Sequence, residues 1–108
     1  MESQALMPVA QRYHARLRQR FGPRLISARV YGSYARGEAH EHSDLDIAVL
    51  VRGLTKAEKV AALGDAAELG WPLGLTISPL LMTPEEFSRL TELEAGIALN
   101  IQREGVPL

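Results

Sequence analysis

The sequence predicts an α/β (α+β) fold, a small mixed sheet of about three to four strands with helices packed on it. In some segments apolar residues recur at helical spacing, and in others they alternate with polar residues as in a strand. The chain has 108 residues, enough to bury one hydrophobic core, so residues 1–108 are expected to form a single domain. The sequence contains no repeats, low-complexity tracts or obvious linkers.

The first predicted helix covers residues 3–20 and ends at a Gly-Pro pair. Apolar residues spaced for one helical face, with arginines between them, define it: Leu6, Ala10, Tyr13, Leu17 and Phe21. A strand is predicted at Leu25–Tyr31, where Gly32 and Ser33 break it. A second strand is predicted at Leu45–Val51, because its apolar residues Leu45, Ile47, Val49 and Val51 alternate along it.

Two further helices have capping signals at their first turns. Thr55 and Glu58 have the spacing of a capping box and begin a helix that ends at Gly70. Its apolar face is expected to contain Val60, Leu63 and Ala67. The sequence Thr-Pro-Glu-Glu at 83–86 caps the last helix, which is expected to reach about Arg103. Apolar residues four apart carry it: Leu93, Ile97 and Ile101.

A third strand is predicted from residue 73 to about residue 82, and Pro79 indicates that it lies at an edge of the sheet. The first two strands can pair antiparallel across the loop that joins them. The second and third strands are joined by a helix of about fifteen residues, a length that permits parallel pairing. The sheet is therefore expected to be mixed.

The composition is that of a folded globular protein, with 46% apolar and 23% charged residues. No apolar run approaches the roughly 18 to 20 residues of a membrane span, and the N-terminal segment lacks the apolar core of a signal peptide. A cytoplasmic location is expected, with no membrane partner. The absence of cysteine excludes disulfides and thiolate metal sites.

Positive charge is concentrated near the N-terminus. Residues 1–37 contain seven arginines and one glutamate, a balance of +6, and the rest of the chain carries −7. Two interpretations remain open: an acidic partner or polyphosphate at the basic end, or solvated arginines on an amphipathic helix. Direct nucleic-acid binding is not expected, because no basic stripe is interleaved with aromatic residues.

Two carboxylates, Asp44 and Asp46, stand at the start of the second strand and point to one face, with Cα atoms about 7 Å apart. Carboxylate oxygens within about 5 Å of each other repel by roughly 3 kcal/mol at an effective dielectric constant near 20. A divalent cation removes this repulsion, and oxygen ligands suit Mg²⁺ or Mn²⁺, which also bind phosphate oxygens. The pair therefore predicts a metal site that works with a nucleotide.

Gly32 and Ser33 precede this pair, with ten residues between Ser33 and Asp44. A strand that ends in glycine and serine before a helical turn leaves backbone N–H groups and a hydroxyl available to a phosphate. Arg36, one turn later, can add a charge-assisted contact. Taken singly, each pattern is more often a turn or a solvated strand end, and their conjunction at this spacing is much more specific.

The pattern Gly-Ser, ten residues, Asp-x-Asp occurs here as GSYARGEAHEHSDLDIAVL and resembles the signature of the minimal nucleotidyltransferases of the DNA polymerase beta superfamily. The resemblance extends to the leading helix and to the final segment, NIQREGVPL. It implies a polymerase-beta-like palm in which Asp44 and Asp46 are catalytic and hold Mg²⁺ (or Mn²⁺). It also implies that Gly32 and Ser33 bind the nucleoside triphosphate, with Arg36 as a further contact.

The same resemblance implies a reaction and a partner. Family members are often paired with a HEPN-domain protein in toxin–antitoxin modules. The expected reaction is therefore transfer of a nucleoside monophosphate, AMP from ATP, to a hydroxyl acceptor, a tyrosine of a HEPN toxin. Assembly into a homo-oligomer is left open.

Thr76 departs from the family pattern, because it stands where a third carboxylate is expected. A threonine hydroxyl cannot share the cation's charge or accept a proton at neutral pH. This leaves an alternative: a catalytically weakened or inactive antitoxin with the nucleotidyltransferase fold, which neutralises its partner by binding.

Other polar and aromatic residues are given no part in the reaction. Polar side chains of the loop before the second strand could stand in for the missing carboxylate, but nothing positions them: Glu38, His40, Glu41 and His42. Three aromatic residues are expected to pack in the core rather than to contact a base: Tyr13, Phe21 and Trp71.

Overall fold

The computed structural model describes residues 3–36, 44–93 and 96–108. Within these ranges, five α-helices and four strands follow one another in the order α1, β1, α2, β2, α3, β3, α4, α5, β4. Their bounds are Ser3–Phe21, Leu25–Tyr31, Ser33–Arg36, Leu45–Val51, Lys56–Gly70, Ile77–Met82, Pro84–Glu92, Gly96–Glu104 and Val106–Pro107. None of the helices in these ranges has the length and apolar character that a membrane span requires.

The four strands form one mixed sheet in the order β3-β2-β1-β4. Strand β1 is antiparallel to both of its neighbours, β2 and β4, whereas β2 and β3 are parallel. The predicted mixed sheet is thus confirmed, and β3 lies at an edge, as Pro79 indicated. The two-residue strand β4 was not predicted, because so short a segment has no periodicity to read.

The hydrophobic core lies between one face of the sheet and the helices α1 and α3. The five apolar residues predicted for the buried face of α1 are all buried, and the apolar residues of β2 face them. The opposite face of the sheet is contacted by α4 and α5. There Phe87 and Ile101 lie over Ala48 and Leu50 of β2.

Helix α3 is oriented differently from the prediction. Val60 is 69% exposed, Leu63 is 46% exposed, and Ala67 is also exposed. The buried residues are instead Ala62, Asp65, Ala66 and Gly70. Small residues on this face allow close packing against α1, where the buried Tyr13 hydroxyl donates a hydrogen bond to the Ala62 carbonyl at 2.9 Å.

Trp71 is 85% exposed, so the expectation that it packs in the core was wrong, whereas Tyr13 and Phe21 are buried as expected. It begins a short 3₁₀ turn, Trp71–Leu73, that is followed by Gly74 in the left-handed region. This turn delays β3 to Ile77, four residues later than predicted.

The last predicted helix is two helices rather than one. Helix α4 ends because Leu93 has φ −79° and ψ 1°, outside helical geometry. Leu93 is 72% exposed and Ile97 is 42% exposed, and of the three apolar residues expected to carry one continuous helix only Ile101 is buried. The capping box predicted at Thr55 is present, and the cap predicted at Thr83 also takes the form of a capping box.

The arginines of the N-terminal segment pair largely within the chain. Arg20 donates to both oxygens of Asp65, at 2.7 and 3.0 Å, and Arg16 donates to the same carboxylate at 3.2 Å. Arg24 forms two hydrogen bonds with Glu58, at 2.7 and 2.8 Å. Neither sequence-based interpretation of the charge asymmetry anticipated these ion pairs. Much of the positive charge of the N-terminal segment is paired with acidic residues of α3.

Asp65→Asn is expected to lower the free energy of unfolding at pH 7 by about 2 kcal/mol. The Asp65 side chain is only 6% exposed, but the two arginines that it binds are about a third exposed and can be solvated, and Arg16 keeps Glu68 as a partner. Chemical denaturation measures the change. Glu68→Gln is the control, because Glu68 is exposed and contacts Arg16 alone, and it should change stability by less than about 0.5 kcal/mol.

The effect of Asp65→Asn should depend on pH. Burial by itself raises the pKa of Asp65, but hydrogen bonds from Arg20 and Arg16 outweigh it and hold the pKa below the ordinary value. A lowered pKa stabilises the fold above the ordinary value, about 4, and this stabilisation is lost as pH falls. The difference between wild type and variant should therefore shrink below about pH 4. A difference that stays constant down to pH 2 would contradict the pairing.

Candidate active site

Gly32 ends β1 with a positive φ of 75°, a conformation that favours glycine. The chain then turns into the short helix α2, which is closed by a hydrogen bond from the Arg36 N–H to the Gly32 carbonyl at 3.1 Å. Ser33 is the first residue of α2, and only its backbone is described. The predicted phosphate-binding pair thus lies at a sharp turn from a strand into a helix.

Asp46 lies directly beside Gly32. The antiparallel register pairs Asp46 of β2 with Tyr31 of β1, the residue before Gly32. A Cβ atom placed on Gly32 would come within 2.6 Å of the Asp46 Oδ2 atom. Glycine is therefore required at this position for a second reason, because any larger residue would displace the carboxylate.

Asp44 precedes β2 and is exposed, whereas Asp46 is half-buried. Burial raises the pKa of Asp46, the negative charge of Asp44 raises it further, and the positive charge of Arg36 opposes both. The charges of Asp44 and Arg36 therefore both act on the Asp46 carboxylate.

Arg36 also contacts the C-terminal helix. Its Nη1 atom lies 2.9 Å from the Glu104 Oε2 atom, and both side chains are about a third exposed. The contact joins α2 to α5 across the end of β1, so the arginine predicted to bind phosphate is held by a residue that the sequence analysis did not single out.

Thr76 lies next to Asp44. The Leu45 N–H donates to the Thr76 carbonyl at 2.9 Å, and the parallel register continues with Leu45 opposite Ile77 and Asp46 opposite Ser78. Because side chains alternate along strands, Ser78 shares the sheet face of Asp46. A hydroxyl residue therefore lies beside each aspartate: Thr76, which precedes β3, lies beside Asp44, and Ser78 of β3 lies beside Asp46. Neither of these two positions holds a carboxylate.

The sequence analysis missed Tyr31, Ser78 and Glu104. Burial and the charge of Asp46 raise the pKa of Tyr31, which places its hydroxyl within the electrostatic reach of the site. Only the strand register and the packing of α5 bring these residues to Asp46 and Arg36, and neither can be read from spacing along the chain. The loop side chains Glu38, His40, Glu41 and His42 lie outside the described residues.

The donor set at the site fits a divalent cation of the magnesium type. Asp44 and Asp46 supply carboxylate oxygens, and Mg²⁺ typically uses one or two carboxylates together with waters and substrate phosphates. Within the described ranges, three or more Asp, Glu or His side chains nowhere gather into a metal site. Such a cation would therefore depend on phosphate oxygens to complete its coordination.

The model of a nucleotidyltransferase domain family matches residues 11–102 of this chain. The chain belongs to this family. A protein adenylyltransferase of Thermococcus cleftensis, MntA, is 38% identical over 90 residues, which cover 83% of this chain and 79% of that protein. A Methanocaldococcus jannaschii protein assigned to the protein adenylyltransferases is 35% identical over 91 residues. This chain spans 62% of the length of the Methanocaldococcus jannaschii protein. It is also 34% identical to part of a Vibrio vulnificus bifunctional uridylyltransferase/uridylyl-removing enzyme, of whose length it spans 9%.

The fold is also that of solved nucleotidyltransferase structures. One described as a minimal nucleotidyltransferase has a TM-score of 0.63 and 28% identity, and the match covers all of this chain and 97% of the other. A toxin–antitoxin structure determined with AMP-PNP has a TM-score of 0.60 and 21% identity, and the match covers 90% and 70% of the two chains. The resemblance to minimal nucleotidyltransferases and the predicted fold class are confirmed.

Gly32→Ala and Gly74→Ala test the contact between Gly32 and Asp46. Both glycines have a positive φ, 75° and 64°, but a Cβ atom on Gly74 would meet nothing within 4 Å. Gly74→Ala should therefore cost only the backbone strain, about 1–2 kcal/mol of unfolding free energy. Gly32→Ala should cost at least about 1 kcal/mol more, because Asp46 must move. Equal losses in urea denaturation would contradict the contact.

Proposed function

We propose that this chain is a metal-dependent nucleotidyltransferase that transfers AMP from ATP to a hydroxyl group of a partner protein. The observation that carries the proposal is the position of Asp46, which lies against the Gly32 turn, with Asp44 close enough for its charge to act on Asp46. Two relatives described as protein adenylyltransferases, and a structural neighbour solved with AMP-PNP, support AMP as the transferred group.

Each residue of the site has a separate task in this proposal. Asp44 and Asp46 hold Mg²⁺, or Mn²⁺. When bound, the cation neutralises triphosphate charge and stabilises the leaving pyrophosphate. The Gly32 turn lets the backbone approach phosphate oxygens, where N–H groups and the Ser33 hydroxyl donate hydrogen bonds. Arg36 adds a charge-assisted contact to a phosphate.

The acceptor is proposed to be a tyrosine of a HEPN-domain toxin. Two structural neighbours are described as toxin–antitoxin structures, which supports a toxin as the partner. A tyrosine hydroxyl has an ordinary pKa near 10, well below that of an alcohol, so it loses its proton more readily. Such an acceptor suits a site in which no carboxylate stands at Thr76 to take the proton.

Asp44→Asn and Asp46→Asn should each reduce AMP transfer by more than about 100-fold, since even indirect partners of a metal site often cost 10- to 100-fold. The measurement is incorporation of label from α-labelled ATP with Mg²⁺ and a HEPN-domain protein from an adjacent reading frame. Glu92→Gln, which removes an exposed carboxylate of α4, is the control and should leave transfer unchanged. Full activity in the double aspartate variant would refute the enzymatic proposal.

Thr76→Asp should raise the transfer rate at least about tenfold, because a positioned general base typically contributes 10²- to 10⁴-fold. Thr76→Asn is the matched control, since it has the same shape but cannot take a proton at neutral pH. Equal rates for the two variants would mean that the missing third carboxylate does not limit the reaction.

The position of Thr76 also favours a second candidate function, in which the chain neutralises its partner by covering it. The two candidates differ in one measurement. If the chain acts by binding alone, the Asp44→Asn/Asp46→Asn variant still forms the complex and still suppresses toxicity. If it acts by AMP transfer, that variant binds the toxin but leaves it active.

A further inference from the structure

The outer edge of β1 is only partly covered. Strand β4 pairs with Arg29 and Val30 alone, and the Leu108 N–H donates to the Ala28 carbonyl at 2.9 Å. From Leu25 to Ser27, no strand of the described chain pairs with this edge. The Leu25 N–H is taken by the Gly22 carbonyl, and the pairing of β1 with β2 shifts register between Leu25 and Ser27, so the open part of the edge is at Ile26 and Ser27. Backbone groups on an unpaired strand edge can form hydrogen bonds with an added strand.

A cleft of about 390 Å³ follows this free stretch of β1. Its walls are His14 and Arg18 of α1 on one side and the tail residues Pro107 and Leu108 on the other. Its floor includes Ile26, which is 44% exposed and lies where the pairing of β1 with β2 shifts register. The cleft is therefore lined by backbone, apolar surface and cationic groups together.

The two arginines of this cleft have no carboxylate side chain as an ion-pair partner within the described chain. Arg18 and Arg29 line it, and neither forms an ion pair with a described residue, whereas Arg16, Arg20 and Arg24 all do. No aspartate or glutamate is among its lining residues. Burial and the charge of Arg18 lower the pKa of His14, so it is neutral at pH 7 and can donate or accept a hydrogen bond. The side chains that line the cleft thus include two arginines and no carboxylate.

We propose that this cleft binds an extended acidic segment of a partner protein, which adds a strand to the free edge of β1. The backbone of the segment would pair with Ile26 and Ser27, its carboxylates would contact Arg18 and Arg29, and an apolar side chain would cover Ile26. A peptide suits the cleft better than a single-stranded nucleic acid, because no Phe, Tyr or Trp lines it to stack on bases.

The proposal is independent of nucleotide transfer. Ser27 is five residues from Gly32 along β1, a distance of about 16 Å by strand rise. Peptide binding can therefore be measured with the full chain in the absence of Mg²⁺ and ATP. Its failure would leave the proposed activity untouched, and a failure of that activity would leave this binding site untouched.

The first experiment uses an eight-residue fluorescein-labelled peptide of alternating valine and glutamate, with fluorescence anisotropy as the readout. Saturable binding is expected for this peptide, and binding at least about tenfold weaker for a valine–lysine peptide, because opposite charges attract across the cleft. Two further peptides carry N-methyl groups on every second residue, in the two possible registers. At least one of them should lose binding, because only one edge of an added strand pairs with β1.

A matched pair of variants locates the site. Arg18→Glu should weaken binding of the valine–glutamate peptide about tenfold or more, because a repulsion replaces an attraction. Arg12→Glu makes the same charge change on an exposed arginine of α1 that does not line the cleft, and it should leave the affinity within about twofold. Circular dichroism confirms that both variants fold.

Three results would overturn the proposal: no saturable binding, equal affinity for both N-methylated peptides and the parent peptide, or equal losses in the Arg18 and Arg12 variants. A fourth would also overturn it, namely displacement of the peptide by a single-stranded oligonucleotide at a lower concentration than by the unlabelled peptide. That result would identify the cleft as a nucleic-acid site.

Discussion

The register between β1 and β2 is the constraint on which the rest of the site depends. Because Tyr31 pairs with Asp46, the end of β1 lies beside the beginning of β2. The Gly32 turn and the Asp46 carboxylate are therefore next to each other. If the pairing of β1 with β2 shifted by one residue, Asp46 would point to the other face of the sheet, into the hydrophobic core where Ile47 lies. The apolar alternation of β2 therefore fixes the fold and the position of the carboxylates in a single step.

Ion pairs between α1 and α3, which pack on the core face of the sheet, stabilise this arrangement. Asp65 sits in the buried face of α3 and is bound by two arginines of α1, and Arg24 binds Glu58 at the start of α3. Arg24 also donates to the carbonyls of Arg52 and Gly53 in the turn after β2. One arginine thus joins the end of α1, the end of β2 and the beginning of α3, which keeps the strand that carries the aspartates in place.

The sequence patterns correctly predicted the features that depend on interactions between residues close together in the chain. Both long strands have the predicted bounds, because alternating apolar residues between turn-forming residues leave few other choices, and the two capping boxes formed where their residues indicated. The orientation of α3 could not be predicted from its largest apolar residues, because close packing against α1 selected its alanine face. The places of Ser78 and Tyr31 in the site could not be predicted, because pairing between strands brings them to Asp46. The contact of Glu104 with Arg36 could not be predicted either, because it spans a sequence separation of 68 residues.

The two edges of the sheet differ in what they allow. At one edge, Pro79 in the middle of β3 has no N–H to offer a further strand, so growth of the sheet in that direction is blocked. At the other edge, the short tail strand leaves part of β1 open. A partner strand added to β1 would bring its own outer edge, but a second copy of this chain that paired through β1 would present β3 on its far side. Pairing between two copies would therefore end at a dimer, with no route to a fibre.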